Sequence, residues 1–110
     1  MQGRVAGTTI ATDYGYQTVR GDLTSVSAAR TFTTDWFIAE TFSNKSQIVI
    51  ELGGPNVAEI TTGIATQSRG ANTLNIVSLN HGLTSQFDGI RIYPVSGTMT
   101  GTVSVYGYAK

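Results

Sequence analysis

Cysteine is absent from this chain of 110 residues, which excludes a disulfide framework, a thiolate metal site and a cysteine nucleophile. Charge is scarce as well. Only 13% of residues are charged, with seven basic residues balanced by seven acidic ones, against a usual share of about 25%. No basic face can be built from so few cations, so no nucleic-acid partner is expected. No apolar run is long enough to cross a membrane as a helix, and the N-terminus shows no charged-then-apolar leader, so no membrane partner is expected either. The acidic residues are scattered, without a calcium-loop pattern or a carboxylate pair, and there is neither a P-loop nor a dinucleotide fingerprint. No cofactor, no metal and no enzymatic activity are expected. His81 is the lone histidine; with no nucleophile and carboxylate converging on it by any motif, it reads as a loop residue.

What fills the chain instead is Thr, Ser and Gly, together with a 40% hydrophobic fraction that argues against disorder. Threonine is β-branched and fits a half-exposed pleated surface, while Lys and Glu, which favour helices, are few. Weakly hydrated surfaces of this kind lose little on being covered, so an assembled state is expected. The length suits one domain. Residues 1–27 are the least patterned and read as an extended N-terminal arm; residues 28–110 read as the folded domain.

From Arg30 the apolar pattern sharpens into strands. Phe32, Trp36 and Ile38 share one side of an extended run, and the consecutive Trp36, Phe37 and Ile38 predict cover on both faces. Residues 47–52 alternate Ile48, Ile50 and Leu52 against Gln47, Val49 and Glu51. Residues 57–66 alternate weakly around Ile60 and Ile64, and residues 74–79 set Leu74, Ile76 and Ser78 against Asn75, Val77 and Leu79. Turn signals fall at residues 43–46, 53–56 and 69–72, and Asn80-His81-Gly82 reads as a loop. In the last third, Ile90 and Ile92 are expected to face Val103 and Val105 across an antiparallel pair. The expected core is thus Trp36, Ile48, Ile50, Ile90, Ile92, Val103 and Val105. No 3.6-residue period persists, and the rhythm of short strands predicts an all-β fold, a jelly-roll-like antiparallel β-sandwich.

The C-terminal residues carry a resemblance. Phe87-Asp88-Gly89-Ile90-Arg91-Ile92-Tyr93-Pro94, then Ser96-Gly97-Thr98-Met99-Thr100-Gly101 and Thr102-Val103-Ser104-Val105-Tyr106-Gly107-Tyr108 resemble the closing hairpin of small β-sandwich proteins from tailed-bacteriophage virions. The resemblance covers only this C-terminal stretch and consists of structural residues. It implies a virion protein, assembled in the host cytoplasm and commonly trimeric, that serves in capsid decoration (cement) or in a tail fibre. Its partners would be itself, as a homotrimer, and the major capsid protein or other virion proteins.

Other features have a bland reading beside the specific one. Tyr14-Gly15-Tyr16 echoes Tyr106-Gly107-Tyr108. With Tyr93 opposite Ser104 and Tyr106, the candidate interface is Tyr14, Tyr16, Tyr93, Tyr106 and Tyr108, read as cross-strand aromatic packing between the N-terminal arm and the last strand or as a subunit contact, ahead of a sugar platform. A host glycan stacked on these tyrosines and Trp36 is the alternative. Arg20-Gly21-Asp22 matches an integrin-type tripeptide but reads as a plain turn, and Asn44-Lys45-Ser46 matches a glycosylation acceptor with nothing else to suggest a secretory route.

Overall fold

The computed structural model describes residues 1–22, 24–40, 45–70 and 73–107, the side chain of Arg69 excepted. Among them there is no helix. Eight strands form two antiparallel sheets: β1 (Gln2–Val5), β2 (Thr8–Thr9), β3 (Tyr14–Gly21), β4 (Val26–Thr33), β5 (Ser46–Gly53), β6 (Thr61–Arg69), β7 (Thr73–His81) and β8 (Gly89–Arg91). The small sheet has the order β2-β1-β8 and the large one β4-β3-β7-β6-β5. They pack together as the β-sandwich that the strand rhythm predicts.

Alternation decides which face is inside. On β7, Asn75, Val77, Leu79 and His81 are buried while Leu74, Ile76, Ser78 and Asn80 are exposed. Register carries this division across the sheet. Tyr14 of β3 and Thr61 of β6 flank His81, and Thr18 and Ala65 flank Val77. The core joins Tyr14, Ala65, Val77 and Leu79 to Met1, Trp36, Ile38 and Phe87.

The run expected as one strand from Arg30 splits in two. β4 ends at Thr33, and residues 34–40 then cross over the inner face. The Trp36 N–H donates to the Met1 carbonyl at 2.9 Å, and the Trp36 carbonyl accepts from the Met1 nitrogen at 2.7 Å. Farther along, the side-chain amide of Gln67 takes the place of a neighbouring strand. Its Oε1 accepts from the Glu40 N–H at 2.9 Å and its Nε2 donates to the Glu40 carbonyl at 2.7 Å. These bonds satisfy the backbone of a segment that no ladder serves and hold Trp36 in the core.

The N-terminal residues are not an arm. β3 pairs along its whole length with β4 on one side and β7 on the other, and β1 lies at the centre of the small sheet. The sparse apolar residues of this region mislead because one of its close contacts is made without a side chain. A Cβ at Gly3 would stand 2.4 Å from the Phe87 ring, so glycine is what lets that ring lie on β1. The β1–β2 connection is the two-residue turn Ala6-Gly7, with φ of 48° and 76° and Val5 opposite Thr8, the double left-handed geometry of a type I′ hairpin.

Two further expectations are corrected. Asn80 and His81 close β7 instead of forming a loop. The closing hairpin is not formed: β8 pairs with β1, through Gln2 with Arg91 and Gly3 with Ile90. Residues 92–107 belong to no strand, and residues 95–107 are exposed throughout.

Candidate interaction surfaces

The aromatic residues divide between core and surface. Tyr14 is fully buried: its hydroxyl accepts from the Gly3 N–H at 2.9 Å and donates to the Ile10 carbonyl at 2.8 Å. It meets Trp36 edge-on at 4.9 Å between ring centroids and lies 4.7 Å from His81. Burial raises its pKa above 10, outweighing the Gly3 hydrogen bond that acts the other way. Tyr14 therefore clips β1 and β2 to the core and leaves the candidate interface. Trp36 is buried too, with its indole N–H donating to the Asn80 carbonyl at 2.7 Å, so neither ring is open to a sugar. Tyr16 is half-buried against Phe37. Tyr93, half-buried, donates its hydroxyl to Asp35 at 2.5 Å and stands under the Arg91 guanidinium; desolvation first, then the Asp35 carboxylate, push its pKa up to about 12. Tyr106 is 85% exposed, and Tyr108 lies outside the described residues.

His81 is fully buried, its Nδ1 3.2 Å from the Leu83 carbonyl and its Nε2 3.1 Å from the Thr12 carbonyl. Both nitrogens are turned to backbone oxygens and toward no nucleophile. Arg20 is held by two carboxylates, Asp22 and Glu40, each at 2.8 Å, and Asp22 also accepts from Thr73 at 3.0 Å. The tripeptide Arg20-Gly21-Asp22 is thus the end of β3 with its charges engaged on the body of the protein. The Asn44 acceptor lies outside the described residues. Among the described residues no three acidic or histidine side chains gather as metal ligands would. A depression lined by Glu51, Leu52, Thr62, Ile64 and Asn80 is shallow and open.

The expected core residues also divide. Ile50 and Ile92 pack against the core from its margin, whereas Ile48, Ile90, Val103 and Val105 are exposed. Ile90 lies on the short edge strand β8 and the two valines on the segment that no strand accompanies, while Ile48 stands near the start of β5, beyond the part of that strand where Ile50 and Leu52 reach the core.

The surface that stands out is the outer face of the large sheet. Ala28, Val19, Ile76, Thr66 and Val49 lie in direct cross-strand register, one from each of the five strands. Val26 and Leu74 extend this band on one side and Ile64 on the other, with Phe32 at the far end of β4; all four are exposed. Five strands spaced about 4.8 Å apart make the row roughly 20 Å long. Alternation within each strand does not align these residues; only the register does. No protein-family model matches the chain, and neither a curated protein nor a solved structure matches it.

Proposed function

We propose that this chain is a structural subunit of a tailed-phage virion, a capsid decoration protein that stabilises the head shell as a trimer. The observation that supports it best is the row Ala28, Val19, Ile76, Thr66 and Val49 across the five strands of the large sheet, apolar and exposed on four of them and broken only by the half-buried Thr66, on a chain with 13% charged residues. Contiguous apolar patches of several hundred Å² on a small protein are commonly interaction sites, and few ions must be stripped of water when this one is covered. The likeness of the C-terminal residues to phage virion proteins supplies the particle and the trimer. The mechanism is mass action: a subunit that binds only the assembled shell lowers the free energy of that shell. No reaction is assigned to the chain.

The tail-fibre and host-glycan alternative has less support, because Tyr14 and Trp36, two of its stacking rings, are inside the core. Sedimentation of purified chain with undecorated, expanded heads tests the proposal. Co-pelleting in hundreds of copies per head, lost in Val19→Asp and Ile76→Asp, is the expected outcome. Tens of copies per virion together with binding to host cells would replace it with the fibre reading.

A further inference from the structure

Residues 95–107 are exposed at every position, with Val103 at 68%, Val105 at 89% and Tyr106 at 85%. No charged residue occurs from Ile92 to Gly107, and Thr102, Val103 and Val105 are β-branched, with valine alternating with Ser104 and Tyr106. An uncharged segment of high β-propensity left without a partner is the kind of sequence that pairs with whatever strand edge it meets. The same chain offers such an edge. β4 is an outer strand of the large sheet; residues 26–30 are exposed on both faces, Val26 at 77%, and the strand carries no proline and one charge, Arg30.

We propose that residues 101–107 of one copy add as a strand to the free edge of β4 (Val26–Thr33) of a second copy. With Val103 and Val105 on the outer face beside Val26 and Ala28, the added strand prolongs the apolar row, and Ser104 falls on the inner side beside Ser27 and Ala29. The segment starts in the right place. Tyr93 is bonded to Asp35, two residues past the end of β4, so a symmetry axis that brings copies together at their β4 edges also brings together the roots of their tails. The size of each joint is at the lower bound of a specific interface. An extended segment of seven residues exposes on the order of 1,000 Å². Covering half of it with an equal area of the receiving edge removes about 1,000 Å² in all, the least that a specific interface buries, and in a closed ring every copy takes part in two such joints. The radius of gyration of the single chain, 14.3 Å, exceeds the roughly 13 Å of a compact domain this long, as a segment standing off the body requires. Each copy donates one strand and receives one, so a closed ring leaves neither a tail nor a β4 edge uncovered.

This deepens the assembly reading by naming the segment that joins copies, but it needs no particle for its test. Light scattering of the full chain at tens of micromolar is expected to show a closed oligomer. A chain ending after Thr100 is expected to be monomeric with an unchanged β-type circular dichroism spectrum. Because the chain has no cysteine, Ser104→Cys in one tagged copy and Ser27→Cys in another, mixed unfolded and refolded together, are expected to form a disulfide between copies. A monomeric full chain, an undiminished oligomer after truncation, or a disulfide formed only within a single chain carrying both changes overturns the inference, the last by showing the tail docked on its own β4. An intact oligomer that ignores phage heads sinks the virion reading and leaves this one standing.

Discussion

Trp36 illustrates how much of the fold one side chain holds. It packs edge-on against Tyr14 and Phe87, bonds to Asn80 through its indole, and anchors Met1 through its backbone. Trp36→Ala is expected to lower stability by about 3–5 kcal/mol in denaturant titration. Trp36→Phe should cost less, because it keeps most of the ring volume but leaves the Asn80 carbonyl without its donor. Gly3→Ala forces a methyl into the Phe87 ring and should cost about 1–3 kcal/mol. The opposite sign is expected at Ala6, whose φ of 48° suits asparagine better than alanine. Ala6→Asn creates the Asn-Gly pair that type I′ turns favour and should raise stability by about 0.5–1 kcal/mol in thermal unfolding.

At the scale of elements, the crossing segment 34–40 depends on side chains that stand in for a ladder. Gln67 is buried, binds both backbone groups of Glu40, and accepts from the Asn75 amide at 3.0 Å. Gln67→Leu fills a similar volume but leaves the partly buried N–H and carbonyl of Glu40 and the buried side-chain amide of Asn75 without their partner, so a loss of about 2 kcal/mol is expected. The loosened segment should show faster amide exchange at residues 38–40 than at β7. Strand identity in β5 and β7 was legible from alternation, because side chains two apart must share an environment; β6 was placed too early, since the weak alternation at residues 57–66 is centred on Ile60, which lies before the strand that begins at Thr61. The crossing segment was not, because Phe32, Thr34, Trp36 and Ile38 keep a strand's alternation while the chain leaves the sheet. Nor was β3, whose apolar residues Val19, Tyr14 and Tyr16 belong to both faces and show no clean period.

For the whole molecule, two tyrosines set a limit at high pH. The pKa values of Tyr14 and Tyr93 are raised in the fold, the latter to about 12. The unfolded chain therefore loses these protons first as pH rises above about 10. Stability is full below that pH and falls between about 10 and 12. Chemical denaturation at pH 9 and pH 11 should show the drop, and Tyr93→Phe should reduce it. The core side of the sandwich was partly readable, Trp36 above all. Ile48, Ile90, Val103 and Val105 carry the same apolar signal yet lie outside, since hydrophobicity reports what can be covered and not what covers it. The amino-acid order by itself determined an all-β chain of low charge with strands at residues 47–52 and 74–79, because local propensity and a two-residue period need no distant partner. Only the tertiary structure decided that the first 22 residues are woven into both sheets, that Tyr14 and His81 are interior, and that five separate strands align one mostly apolar row. Those outcomes rest on pairing between residues far apart in the chain, and register is a property of the pair, not of either strand.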